Sequence, residues 1–312
     1  MQRKFITYCL LFFIPVVGMY AVAEWLTQKI PSAFAVNKEI IAKDGKKIET
    51  LVLGSSQLMN AVNPEWMHSP TLNLASGDQH HDTDFKLYKQ LQAQFPNLKT
   101  VVLEVSYSHF EMPHNGKDFW KNSLYYHYYH VNCFERTAYF KDQLLYLSNT
   151  KFFWKMIDQY YIKKSNIPKI NEYGFNETDG YQQFAKLNFN KEKIDRMPRF
   201  KINTEPNLKL FKENTKMFFE LLDTLEAQQK QVVICSPPMY NTYLKRRNSE
   251  ILNRRDRIFE EIKYNYPNIK FLLSEEDTLH FSLEHFWNQS HINPKGAKIF
   301  TQQLDSLIQK SN

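Results

Sequence analysis

A serine closing a short apolar run and a histidine opening the last helix are the residues of this chain best suited to shared chemistry. Leu51-Val52-Leu53-Gly54-Ser55-Ser56 carries strand-like residues into a glycine and two serines, just where polar, helix-compatible sequence begins. A serine held at such a strand-to-helix turn is a candidate nucleophile. Asn288-Gln289-Ser290-His291-Ile292-Asn293-Pro294-Lys295-Gly296 sets His291 shortly before Asn-Pro, a helix-starting pair, and so supplies a candidate base. Acyl transfer through serine needs a hydroxyl, a base for its proton, and donors aimed at the developing oxyanion. Ser56, His291 and Gly77, the last in Leu72-Asn73-Leu74-Ala75-Ser76-Gly77, can supply these. Each also has a plainer role: a helix N-cap for either serine, a structural histidine at 291, and a positive-φ turn at Gly77.

A sheet must carry these residues. Apolar runs at 50–53, 71–75, 100–105, 231–235 and 269–273 predict five strands, and helical spacing lies between them. Phe85, Leu87, Tyr88, Leu91 and Phe95 mark one helix; Leu208, Phe211, Thr215, Phe218, Leu222 and Leu225 mark another after Pro206. A charged helix over about 246–265 and a final one from Pro294 complete the alternation. The expectation is an α/β three-layer sandwich around a central, mostly parallel five-stranded sheet. Loops after the strand C-termini then line one edge, where ligands bind in such folds, and both Ser56 and Gly77 follow strands. Residues from about 111 to 205 break the rhythm and read as an aromatic-rich helical insertion. Its rings, densest at 124–130, 152–154 and 160–161, suit core or lid packing, stacking on sugar faces, or a membrane partner.

Residues 5–23 form an uncharged apolar run behind Arg3 and Lys4, long enough to approach a bilayer's hydrocarbon thickness. It reads either as a transmembrane anchor, within 1–26, or as a signal segment cleaved after Ala21-Val22-Ala23. Basic residues on its N-terminal side place the rest outside the cytoplasm. The expectation is a bacterial inner-membrane-anchored protein with its globular domain in the periplasm or outside the cell, secreted if the segment is cleaved. A polar juxtamembrane linker over 27–48 then leads to the globular domain, 49–312. Cys9 sits wrongly for a lipid anchor.

The formal charge of +7 raises nucleic acid as a partner, yet the basic residues are scattered. The densest cluster, Lys245-Arg246-Arg247 with Arg254-Arg255, is broken by Glu250 and Asp256 and reads as a solvated helix face, not a nucleic-acid surface. Cys133 and Cys235 can pair in an oxidising compartment, although Cys235 also fits a buried strand. His80-His81-Asp82 with Asp84 carries metal-capable side chains, but adjacent histidines opening a helix do not converge on one ion, so no metal site is expected. No phosphate-binding glycine loop is present.

These blocks resemble those of the SGNH or GDSL hydrolases. Within that family they are similar to membrane-anchored members such as the D-alanyl transfer protein of teichoic acid systems and the alginate and cellulose acetylation proteins. The resemblance covers the two sheet-forming halves and implies an SGNH, flavodoxin-like fold. Gly54-Ser55-Ser56 sits where the family has Gly-Asp-Ser, which implies Ser56 as nucleophile and its amide as an oxyanion donor. Gly77 matches the second block, whose glycine amide completes part of the oxyanion hole. Val101-Val102-Leu103-Glu104-Val105-Ser106 resembles the third strand, but the family's Gly-x-Asn-Asp does not follow; Ser108 stands as a weak substitute donor. Asn288-Gln289-Ser290-His291 aligns with Asp-x-x-His, so His291 transfers and the aspartate position holds Asn288. A Ser-His dyad, recruitment of Glu284, or loss of hydrolysis are the alternatives. The resemblance implies a serine esterase or O-acyltransferase, needing no cofactor, that acts on a cell-envelope or exported polysaccharide. The rival reading is a catalytically impaired relative that binds glycan or scaffolds a membrane-bound acyltransferase.

Overall fold

Five short strands stand side by side, all parallel, in the order β2-β1-β3-β4-β5. They are β1 (Thr50–Leu53), β2 (Thr71–Asn73), β3 (Thr100–Glu104), β4 (Gln231–Ser236) and β5 (Lys270–Leu273). This is the computed structural model of the chain, and it describes residues 2–116, 119–134, 140–165, 167–178, 182–198 and 201–310. The sheet is covered on both faces, which is why its strands read as continuous apolar runs and not as alternating ones.

Alternation along each strand divides the core into two layers. Leu51, Leu53, Leu72, Val101, Leu103, Val232 and Ile234 face one layer, where α4 (His81–Leu91), α6 (Leu208–Ala227) and α7 (Ser249–Asn265) contribute Phe85, Leu87, Phe218, Leu222 and Ile262. Val52, Val102, Val233 and Cys235 face the other, with α3 (Ser56–Ala61) and α8 (Pro294–Gln309) adding Leu58, Phe300, Leu304 and Ile308. The expected α/β sandwich is therefore present, and the sheet's C-terminal edge carries both Ser56 and the loop after β2. On α6 the inward face is Asn214, Phe218, Leu221, Leu222 and Leu225, whereas Leu208 is exposed.

Three expectations need correction. Cys133 and Cys235 are free and buried, and they lie in the two core layers on opposite sides of the sheet, so they cannot pair. The arginine cluster is not a solvated face: Arg247 and Arg255 bind the buried Glu275, and Arg254 grips the buried Glu111 through two nitrogens. Buried carboxylates require such partners, and they draw these side chains inward. Residues 33–44, inside the stretch read as a polar linker, form the helix α2 (Ala33–Asp44), capped by Ser32 and tied to β2 through Asn37 Nδ2 and the Asn73 carbonyl at 2.8 Å.

The N-terminal helix α1 (Gln2–Lys29) is long and apolar enough to cross a membrane by length and composition, and its apolar window is unburied. Between β3 and α6 the regular elements among the described residues are short helices and one isolated bridge, Ile170 to Asn176, joined by irregular chain. Tyr125, Tyr129 and Phe153 belong to the core, where Phe34 of α2 stacks on Tyr129. Phe152 and Trp154, on α5 (Thr150–Ile157), remain exposed.

Candidate active site

The turn carrying Ser56 is built by two residues that never reach its hydroxyl. Gly54 has φ +151°, and a Cβ there would fall 2.7 Å from Glu104 Cβ, so only glycine lets the end of β1 lie against the end of β3. Glu104 is fully buried, yet its carboxylate is well supplied with donors. Ser55 N at 2.8 Å, Leu58 N at 3.2 Å, Ser55 Oγ at 2.8 Å and Ser106 Oγ at 3.0 Å all point at it. Burial pushes its pKa up and these donors pull it down. Ser55 also caps α3, its Oγ accepting from Gln57 N at 3.1 Å. The plain capping role thus falls on Ser55, which leaves Ser56 free to face the cleft.

A small hairpin positions the histidine. β6 (Phe286–Asn288) and β7 (His291–Ile292) pair antiparallel, with Asn288 opposite His291, and Asn293 then caps α8 through Lys295 N and Gly296 N. His291 Nε2 lies 2.8 Å from Ser56 Oγ. His291 Nδ1 lies 3.1 Å from Asn288 Oδ1 and 3.0 Å from Ser290 Oγ. Ser290 N donates to the same Asn288 oxygen at 2.9 Å, which identifies that atom as an acceptor. The proton facing it must therefore sit on Nδ1, and the lone pair of Nε2 faces Ser56. Burial pulls the His291 pKa down to about 4, with the Glu104 charge opposing, so the imidazole is neutral across the physiological range.

Glu284 does not take the place of the absent aspartate. Its backbone carbonyl accepts from Asn293 Nδ2 at 2.6 Å, and among the described residues no carboxylate hydrogen-bonds His291. Gly77 follows β2 as expected, but it is not the left-handed residue of its turn; that is Asp78, at φ 59°. Lys121 Nζ clamps this turn through the Gly77 carbonyl and, at 3.1 Å, Asp78 Oδ2. Among the described residues neither the Ser56 amide nor the Gly77 amide has a protein acceptor. Ser108 lies on the cleft wall and makes no hydrogen bond to Ser56 or His291.

Ser56 opens into a cleft of about 930 Å³ lined by Asp78, Gln79, His80, Asn203, Thr204 and Asn207 among others. Its lining is rich in hydroxyl and amide groups, and the volume exceeds what a short acyl chain alone would fill. The histidines 80 and 81 separate: His80 faces the cleft, whereas His81 is buried and its Nε2 donates to the Glu104 carbonyl at 2.8 Å. His109 is also buried, with Nε2 3.4 Å from Glu104 Oε1. Glu104 is thus the site residue the sequence reading missed. The available signal was a carboxylate terminating a central, otherwise apolar strand, a position that requires a dedicated set of donors.

No protein-family model matches the chain, and no curated protein matches it. Among solved structures, one similar chain is a Streptococcus pneumonia protein provisionally described as a platelet activating factor, at 7% identity and TM-score 0.41, covering 94% of this chain and 99% of that one. Another is a Bacteroides fragilis protein provisionally described as an acylhydrolase, at 10% identity and TM-score 0.41, covering 86% of this chain and 89% of that one.

Proposed function

We propose that the chain is a membrane-tethered, extracytoplasmic serine acyl esterase or O-acyltransferase acting on a cell-envelope or exported polysaccharide. The observation that carries this reading is the 2.8 Å contact between Ser56 Oγ and His291 Nε2. Ser56 attacks the acyl carbonyl while Nε2 takes its proton, and the Ser56 and Gly77 amides supply donors to the oxyanion. Collapse expels the alcohol, which recovers that proton from the imidazolium. A water or a sugar hydroxyl then repeats the sequence on the acyl-serine and releases the free acid or the new ester. The hydroxyl- and amide-rich cleft supports a carbohydrate as the larger reaction partner.

A second reading, a glycan-binding or scaffolding relative without turnover, is favoured by Asn288 in place of a carboxylate. Replacing the corresponding aspartate by asparagine in a serine protease lowers turnover by about 10⁴. Fluorophosphonate labelling of the full chain, with the adduct located by mass spectrometry, separates the two. The acyl-transfer reading expects an adduct on Ser56 that disappears in His291→Ala; a folded sample without adduct selects the scaffold.

A further inference from the structure

We propose that the segment from Thr150 to Ile162 is a lipid-contacting platform that sets Trp154, Ile162 and their neighbouring lysines into the anionic headgroup layer of the membrane crossed by α1. The inference rests on the tethering part of the reading above and is independent of the acyl chemistry.

The apolar run 5–23 of α1 is about 28 Å long at 1.5 Å per residue, close to a bilayer's hydrocarbon core. Immediately beyond it, α1 stops being a free helix. Glu24 is buried, and its carboxylate accepts from Leu145 N at 3.0 Å and Tyr146 N at 2.7 Å, at the start of the helical turn Leu145–Ser148. The Tyr20 ring meets the Tyr146 ring edge-on at 5.9 Å. The Tyr161 hydroxyl donates to the Leu26 carbonyl at 3.0 Å. These contacts fasten the segment just before α5 and the π-helical turn Asp158–Ile162 just after it to the two turns of α1 where the apolar run ends.

That attachment fixes the platform's depth at the membrane–water boundary. Phe153 and Ile157 anchor α5 in the protein, while Trp154 is 56% and Ile162 66% exposed, joined by Trp25 of α1 at 58%. Lys151, Lys155 and Lys164 are exposed around them, as is Lys163, whose ammonium pairs with Asp158 Oδ2 at 2.5 Å. Tryptophan at the headgroup level with lysines reaching outward is the composition of a membrane interface. In water the same surface would leave large apolar groups uncovered.

The test uses the full chain reconstituted in phosphatidylcholine vesicles containing phosphatidylglycerol. The Trp154 emission is isolated as the difference between the chain and its Trp154→Phe variant. Headgroup-nitroxide lipid is expected to quench that difference signal strongly and aqueous iodide weakly. Combining Lys151→Gln, Lys155→Gln, Lys163→Gln and Lys164→Gln should raise the iodide quenching severalfold. A Trp154 signal quenched by iodide and indifferent to the nitroxide lipid would overturn the platform while leaving the tether standing. Failure of the chain to float with the vesicles would overturn both. Hydrolysis of p-nitrophenyl acetate by the same preparation reports the acyl chemistry separately.

Discussion

Asn288→Asp should raise the alkaline plateau of the pH profile while the mutant and parent profiles merge in acid. In the parent, His291 is a base with its pKa pulled down to about 4, so kcat/KM should hold its plateau well into acid and fall only as the imidazole protonates near that value. Aspartate at 288 would place a negative charge beside Nδ1, where Asn288 Oδ1 now sits at 3.1 Å. Two charges about 4 Å apart in surroundings of effective dielectric about 20 interact by about 4 kcal/mol, equivalent to about 10³ in the stability of the imidazolium. Desolvation of the new carboxylate offsets part of this, which leaves an expected gain of roughly 10²-fold in the alkaline plateau. The same stabilisation raises the His291 pKa by the same factor, so the mutant's acid limb moves about two pH units toward neutrality and its rate converges on the parent's in acid.

The geometry makes this an electrostatic test and little else. In the serine protease comparison the loss from asparagine includes a wrong imidazole tautomer. Here Ser290 N holds the Asn288 oxygen toward Nδ1, so the productive tautomer is already in place. Ester hydrolysis followed from acid to alkaline pH, with histidine titration by NMR as an independent readout, decides the matter. Parallel profiles, or a lower rate at every pH, would refute the assignment of His291 as base and Asn288 as its orienting partner.

Glu104→Gln should cost about 1–2 kcal/mol: its oxygen can keep Ser55 N and Leu58 N, which meet on Oε2, but its amide nitrogen then faces the Ser55 and Ser106 hydroxyls that now donate to Oε1. With the turn displaced, kcat should fall roughly 10–100-fold and KM change little, measured beside the melting temperature; a normal kcat at reduced stability would deny Glu104 its positioning role. Gly54→Ala should destabilise by about 3 kcal/mol, a loss of roughly 6–10 °C in Tm, since it meets both a φ of +151° and a 2.7 Å approach to Glu104. Acid should destabilise the fold. His81, His109 and His291 are held neutral by burial, His109 down to about 3, so below about pH 6.5 the unfolded chain binds protons that the folded one refuses. The raised pKa values of Glu104 and Asp84 act in the opposite sense, leaving a loss of about 1.4 kcal/mol per pH unit for each net proton as pH falls toward 4. A Tm that stays flat through that interval contradicts the buried neutral histidines.

The sheet was legible because its strands are buried on both faces, and such strands announce themselves as unbroken apolar runs: 50–53 was placed to the residue, and the others within two. The Ser56–Gly77–His291 order was readable because each follows or precedes a turn signal. The β6–β7 hairpin was not, since Gln289-Ser290 lacks the Asn-Gly or Asp-Gly chemistry that marks a tight turn, and so the pairing of Asn288 with His291 came only with the structure. The arginine cluster misled for a related reason. Charge spacing along a helix does not reveal that Glu111 and Glu275, far away in sequence, are buried beneath it. In the insertion, aromatic content alone could not separate the rings that fill the core, Tyr125 and Phe153, from those left outside, Trp154 among them.

The placement of negative charge bears on which reading of the site is right. The two positions where the resembling family carries aspartate hold Ser55 and Asn288, both neutral, and the charge that acts on His291 is that of Glu104. A carboxylate with no exposure costs several kcal/mol to bury, and four protein donors offset that cost without making it more favourable than a packed apolar side chain. Fold stability alone does not call for it. What the carboxylate does achieve is geometric: it draws Ser55 N, Ser55 Oγ and Leu58 N to one point and thereby fixes the first turn of α3. The residue so fixed is Ser56, whose Oγ meets His291 Nε2 at 2.8 Å. A scaffold with no use for its serine would have no physical reason to hold that turn so tightly, and on this ground the acyl-transfer reading is the stronger of the two.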